Sequence, residues 1–226
     1  MSDKKQPILV VKLGGAEGLD IEGACADLAA LARPPVRMVV VHGGSADATA
    51  LGEALGRPAR MLTSPSGFVW RYTDRAALEI FTMAVNGKRN TLLVERLQAH
   101  GANALGLSGL DGRLMIAAHK TAVQSVEGGK RRVIRDDYTG RVEQVNQGLL
   151  SLLLEADYLP VIAPLALSTD GFAVNVDADR AAAKVAAALE ADTLVLLTAA
   201  PGLLSAFPDE DTLVADLPLG RLDAAM

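Results

Sequence analysis

A chain of 226 residues, half of them hydrophobic and 22% charged, can bury a substantial core and is too apolar to remain disordered. Its net charge of −5 and 4% aromatic content supply neither the basic field nor the stacking platforms of a general nucleic-acid binder. One cysteine, Cys25, rules out an internal disulfide framework, and the apolar region 149–167 is broken by Glu155, Asp157, Pro160 and Pro164, so a cytoplasmic protein is expected.

The run Ile8-Leu9-Val10-Val11 reads as a buried parallel strand, left through the tight turn of Lys12-Leu13-Gly14-Gly15. A lysine at a strand's carboxyl end, beside backbone that an anion can approach closely, is a phosphate-handling arrangement. Residues 20–31, rich in alanine and leucine, predict a helix stopped by Pro34-Pro35, with Cys25 packed on it. A second strand at 36–41 runs into His42-Gly43-Gly44-Ser45, and a helix from 45 to 55 ends at Gly56. A turn-rich piece, Thr63 to Gly67, precedes a strand-like stretch at 68–72, and Asp74 is placed to cap a helix through Phe81 and Met83.

A separate helix over 92–100 ends at Gly101, before a strand at about 103–107. Between 109 and 145 the short β-like runs 113–117 and 131–134 are divided by Glu127-Gly128-Gly129, hairpin chemistry at the edge of the main sheet. A helix at 146–156, a strand at 159–163, a helix at 179–189 and a strand at 193–197 restore the alternation. The pattern predicts an α/β fold with a mainly parallel sheet covered on both faces, without internal repeats or a domain linker. From Pro201 to Met226 no convincing terminal element follows, so an incomplete version of a longer domain is expected.

No Gly-x-x-x-x-Gly-Lys-Ser/Thr loop and no Gly-x-Gly-x-x-Gly fingerprint is present, and three scattered histidines with one cysteine make a zinc site a poor reading. Lys12 could neutralise phosphate charge or be a solvated turn lysine. Gly43-Gly44 could offer amides to an anion at a helix N-terminus, or simply turn the chain. Arg71, between a loop and a helix, could clamp a carboxylate or pair with Asp74 or Glu79. In Asn175-Val176-Asp177-Ala178-Asp179 one polar side chain serves as N-cap, which leaves Asn175 free for substrate and Asp179 free to orient ammonium groups. Leu194–Leu197 followed by Thr198-Ala199-Ala200-Pro201-Gly202 could wall a nucleotide.

Taken in order, Lys-Leu-Gly-Gly, His-Gly-Gly, Gly-x-x-x-Arg-x-Thr-Asp, Asn-x-Asp-x-Asp and Leu-Thr-x-x-Pro-Gly-Leu-Leu resemble the amino acid kinase superfamily, over about residues 8–215. Within it the chain looks most like the acetylglutamate kinase branch. Ala16-Glu17-Gly18, His42-Gly43-Gly44-Ser45, the stretch Gly106 to Gly112 and Arg135-Asp136-Asp137-Tyr138-Thr139-Gly140 are similar to its LysW-aminoadipate kinase sub-branch, which serves lysine biosynthesis.

The resemblance implies a three-layer αβα sandwich of one domain, with a substrate lobe at 1–165 and the start of an ATP lobe at 166–226. It implies transfer of the γ-phosphoryl of ATP to the terminal carboxylate of 2-aminoadipate carried on the small acidic protein LysW. Magnesium would bridge the ATP phosphates, with no protein metal ligand expected, and the protein would be a homodimer. Lys12 would stabilise the transition state and Asp179 organise the lysines. Gly14, Gly15, Gly43 and Gly44 would supply backbone donors, Thr198 and Gly202 would face ATP, and Arg71 and Asn175 would hold the aminoadipyl part.

The family's second catalytic lysine, in a Gly-x-Met-x-x-Lys-like segment that Gly220-Arg221-Leu222 begins, has no counterpart here, since no lysine follows Lys184. Basic residues Lys88, Arg89, Arg96, Lys120, Lys130, Arg131, Arg132 and Arg135 could form one face that steers an acidic carrier, or be ordinary solvated surface. The rival readings are an N-acetylglutamate kinase or dual LysW-glutamate kinase of arginine biosynthesis and, more remotely, a nucleotide-binding module without turnover.

Overall fold

The computed structural model describes residues 6–16, 18–206, 208–218 and 220. Glu17, Arg221 and Leu222, used in the motif reading, lie outside the described residues. In chain order come β1 (Ile8–Leu13), α1 (Ile21–Leu31), β2 (Arg37–His42), α2 (Ser45–Ala54), β3 (Met61–Thr63), β4 (Val69–Arg71) and α3 (Arg75–Thr82). A π-helix, Met83–Asn90, then joins α3 directly to α4 (Thr91–Ala99). There follow β5 (Ala104–Gly109), β6 (Met115–His119), β7 (Val123–Glu127), β8 (Lys130–Ile134), β9 (Thr139–Val145) and α5 (Gln147–Glu155). The last elements are β10 (Leu159–Ser168), β11 (Ala173–Val176), α6 (Ala178–Ala188) and β12 (Thr193–Leu197).

The main sheet has eight strands in the order β11-β9-β6-β10-β2-β1-β12, with β5 also paired to β10. Its centre is parallel: β12, β1, β2, β10 and β5 all run the same way, while β10–β11 and β6–β9 are antiparallel. Strands buried on both faces need apolar residues at every position, which is why β1 and β2 read as unbroken runs instead of alternating ones. Val10, Val39 and Val41 pack with Leu150 and Leu154 of α5 and Ala181, Ala182 and Val185 of α6. The intervening Val11, Met38 and Val40 face the other way, onto Cys25 and Leu28 of α1 and Leu93 and Leu97 of α4. The result is the expected αβα sandwich.

Helix starts follow local chemistry. Asp20, Asp74, Asn146 and Asp177 each accept a backbone N–H at the start of α1, α3, α5 and α6 through their side chains. Gly128 and Gly129, at φ +55° and +75°, close the β7–β8 hairpin, a backbone that glycine adopts at little cost. That hairpin forms a two-stranded sheet of its own and does not extend the main sheet's edge.

Other expectations need correction. The helices expected at 74–83 and 92–100 are one continuous run through the π-helix. The turn at 63–67 and the strand after it are as expected, and the unforeseen element is β3 before the turn, which pairs with β4 as a hairpin with Met61 opposite Arg71. Asn175 lies near the end of β11, two residues before the Asp177 cap of α6, where a ladder with Leu165 and Thr139 holds it. The strand expected at 113–117 begins at Met115, because Gly112 and Arg113 have φ of +57° and +52°. Among the described residues no helix is long and apolar enough to cross a membrane.

Candidate active site

The carboxyl ends of β1, β2 and β12 lie side by side, and the two glycine turns leave β1 and β2 there. Gly14 N–H donates to the Leu197 carbonyl at 2.8 Å, Gly43 N–H to Leu13 at 2.8 Å, and Ala46 N–H to Gly15 at 3.0 Å. The turns touch backbone to backbone. A Cβ built on Gly15 would stand on the Gly44 amide nitrogen and 2.5 Å from the Gly43 carbonyl carbon, so only glycine permits this approach.

Two buried donors are left over. Among the described residues neither the Gly15 nor the Gly44 amide donates a hydrogen bond, although both residues are buried. Buried amides are almost always paired, so two unpaired ones in adjacent turns mark a place for an acceptor from outside the chain. Gly44 is also the N-cap of α2 and provides no side chain to close that helix end.

Lys12 delivers the cation. Its side chain is 10% exposed, and Nζ lies 2.8 Å from Oδ1 of Asp179 in the first turn of α6. Because Asp177 already caps that helix, Asp179 is free to hold the lysine, and its 54% exposure leaves the carboxylate partly in water. Thr198 follows β12 directly, and a Cβ on Gly14 would sit 3.6 Å from its Cα. Gly202 lies farther along that loop, against Leu213.

Arg71 and Asn175 meet through a residue the sequence reading did not weigh for a role, Thr73. The Asn175 amide donates to Thr73 Oγ1 at 3.3 Å, and that hydroxyl donates to the Arg71 carbonyl at 3.0 Å. Below them Asp137, 2% exposed, accepts from Trp70 Nε1, the Thr73 amide and the Thr139 hydroxyl at 2.8–3.1 Å. Burial pushes the Asp137 carboxyl up, against the pull of those donors. The Arg71 guanidinium pairs with neither Asp74 nor Glu79: it donates to the Ser45 carbonyl at 3.0 Å and to Thr49 Oγ1 at 2.7 Å, on the flank of α2. Ser45 Oγ in turn reaches the Gly15 carbonyl at 3.3 Å, linking this group to the glycine turns.

A cleft of about 280 Å³ lies on the outer side of Arg71, between α2, α3 and the loop 57–60. Arg57, Arg60 and Arg71 line it, with Ile80 and Phe81 as apolar wall. Arg60, which lines the cleft, also holds Glu127 of β7, tying the β7–β8 hairpin to the loop 57–60.

The expected basic face is divided. Arg89 is 13% exposed and turned inward onto Asp47 and the Gly14 carbonyl, Lys88 also pairs with Asp47, and Arg96 pairs with Glu22. Lys120, Lys130, Arg131, Arg132 and Arg135 are exposed, three of them on β8, where Arg132 pairs with Glu127 at 3.4 Å.

His42, fully buried at the end of β2, is held on both nitrogens. Asn90 Nδ2 faces its Nε2 at 3.0 Å and also donates to the Val161 carbonyl at 2.8 Å, so the proton sits on Nδ1, which donates to the Gly43 carbonyl at 2.8 Å. Burial pushes His42 down to about 4. Between about 4 and 6.5 the unfolded chain therefore holds more protons at this residue than the folded one. Its contribution to stability is complete above pH 6.5 and lost as the pH falls toward 4, by roughly 3 kcal/mol in all. Denaturant titrations at pH 7 and pH 4.5 should show that loss, and H42Q should flatten it.

Among the described residues no three His, Cys, Asp or Glu side chains are grouped to hold a metal ion. The site is thus a cationic and amide-lined cradle with a separate guanidinium clamp, suited to two anions.

The sequence pattern of the amino acid kinase family matches residues 7–224. The LysW-aminoadipate kinase of Deinococcus radiodurans is 52% identical over 217 residues, covering 96% of this chain and 74% of that protein. The acetylglutamate kinase of Methanopyrus kandleri is 41% identical over 206 residues, covering 91% of this chain and 76% of that one. The solved structure of N-acetylglutamate synthase from Neisseria gonorrhoeae, with coenzyme A and N-acetyl-glutamate, superposes with a TM-score of 0.68 at 25% identity, over 88% of this chain and 43% of that chain. This chain belongs to the amino acid kinase family.

Proposed function

We propose that the chain phosphorylates the terminal carboxylate of 2-aminoadipate carried on a LysW-type protein, at the expense of ATP, in lysine biosynthesis. The observation that carries the phosphoryl-transfer part is the pair of unpaired Gly15 and Gly44 amides beside the Lys12–Asp179 ion pair. In such a transfer the protein mainly positions two anions and neutralises charge on the equatorial oxygens. Lys12 meets the transferred group, Asp179 holds the ammonium in place, and the glycine amides receive oxygens. Arg71 and Asn175 hold the acceptor, and Thr198 and Gly202 border ATP. Magnesium bound with ATP would neutralise part of the phosphate charge, held mainly by nucleotide and water oxygens.

The substrate part of this reading leans on the 52% identical relative and on the charge beside the cleft. An acidic carrier would dock at the β7–β8 side, where Lys130, Arg131 and Arg132 stand exposed, and not along the helix bearing Lys88 and Arg96. The lobes belong to the same proposal: residues 1–165 serve mainly the acceptor and 166–226 mainly ATP, with Asn175 reaching back across the boundary to Thr73. A homodimer is likewise proposed.

Initial rates with carrier-bound aminoadipate, carrier-bound glutamate and free N-acetylglutamate test the reading directly. Carrier-bound aminoadipate is expected to win, with an on-rate that falls as salt rises. Preference for free N-acetylglutamate would assign the chain to the acetylglutamate branch, and ATP binding without turnover on any acceptor would overturn the kinase reading.

A further inference from the structure

The helix that begins at Arg75 widens into a π-helix over Met83–Asn90 before returning to α geometry. π-Helices are rare, are mostly single-turn bulges, and gather at functional sites. Local sequence permits the widening, since Val85, Asn86, Gly87 and Asn90 are weak α formers. A Cβ on Gly87 would meet nothing within 4 Å, so packing does not explain that glycine.

At its carboxyl end three successive side chains reach the two glycine turns or the residues beside them. Lys88 and Arg89 each take an oxygen of Asp47 in the first turn of α2, both at 2.9 Å. Arg89 Nη2 also donates to the Gly14 carbonyl at 2.8 Å. Asn90 holds His42, whose Nδ1–H holds the Gly43 carbonyl.

The two anchored carbonyls share peptide planes with the two unpaired amides. Gly14 C=O and Gly15 N–H belong to one peptide, Gly43 C=O and Gly44 N–H to the next turn's. A trans peptide is planar, with its oxygen and its hydrogen on opposite sides. Pinning the Gly14 oxygen on Arg89 and the Gly43 oxygen on His42 therefore fixes the direction of each hydrogen, opposite to its oxygen. Val85 completes the clamp: a Cβ on Gly44 would sit 2.5 Å from its Cγ1.

We propose that the π-helix is the positioning element of the phosphoryl cradle, with Arg89 setting the Gly15 amide and Asn90, through His42, setting the Gly44 amide. Neither residue touches the substrate. The proposal rests on the kinase reading for its consequence, but its geometry is testable without it.

The experiment uses the whole chain in two variants, N90A and R89K. R89K keeps a charge near Asp47 and removes the fork that reaches Gly14. In ¹H–¹⁵N spectra N90A should move the Gly44 amide signal and release His42 from its single Nδ1–H tautomer, while R89K should move the Gly15 amide signal. Steady-state kinetics should show kcat lowered 10- to 100-fold, with both KM values within about 3-fold, as expected for misplaced rather than missing contacts. Lowered Tm with unchanged glycine amides and unchanged kcat per folded molecule would reduce the π-helix to packing and overturn the proposal. If no acceptor is ever phosphorylated, the amide and tautomer signals still decide it, and if N90A fails to fold, R89K alone decides the Arg89 arm.

Discussion

Replacing Lys12 by methionine is expected to lower kcat by about 10²- to 10³-fold, the scale of losing one preorganised charge at a site of developing negative charge. The fold should survive, because the partner left behind is not stranded. Asp179 is 54% exposed and returns to water when the ammonium goes. KM for the acceptor should change little, since Arg71 and Asn175 lie on β4 and β11, joined through Thr73 and not through Lys12. Single-turnover phosphoryl transfer separates these outcomes: a K12M chain that transfers at the wild-type rate would remove Lys12 from the mechanism. The reverse variant, D179A, leaves the ammonium buried without its partner, which is the costlier error.

A large effect on folding is expected from G15A. The added methyl has no direction in which to relax, because what it meets is the backbone of Gly43 and Gly44 and not the flexible end of a side chain. Forcing the turns apart should cost about 3 kcal/mol, at the upper end of overpacking penalties, and lower Tm by roughly 6–12 °C. Activity should fall with it even at temperatures where the variant is folded, since the methyl covers the Gly44 amide. Calorimetry together with kcat measured well below Tm tests both parts. A stable, active G15A chain would show that the turns are not in contact in solution. By contrast G87A should be neutral or mildly stabilising for the fold, as nothing crowds that position.

Much of this site is legible in the sequence because it is built from local signals. An apolar run followed by Lys-x-Gly-Gly specifies a buried strand, a cation at its end and a turn, all within eight residues, and each was placed within one or two positions. The same holds for Asp74 and the cap-rich stretch 175–179, where one carboxylate caps and the other faces Lys12. The misplaced residues are those whose role depends on distant partners. Arg89 looks like a member of a surface charge run, and its sequence neighbours carry no sign that Asp47 and Gly14, 42 and 75 residues away, will enclose it. Thr73 and Asp137 are ordinary polar residues until β4 and β9 are brought together.

By itself the sequence determined most strands and helices, the parallel sheet covered on both faces and the placing of Lys12 and the glycines at strand ends, because hydrophobic periodicity, capping and glycine turns act over a few residues. The family followed from the resemblance of its motifs in order. Only the tertiary structure decided that two glycine turns lie in contact, that their amides are left without partners, and that a π-helix holds one carbonyl behind them through Arg89 and the histidine bonded to the other through Asn90. Those features arise where segments far apart in the chain meet, and a buried amide's need for a partner is satisfied, or left open, only when the whole sheet has closed around it.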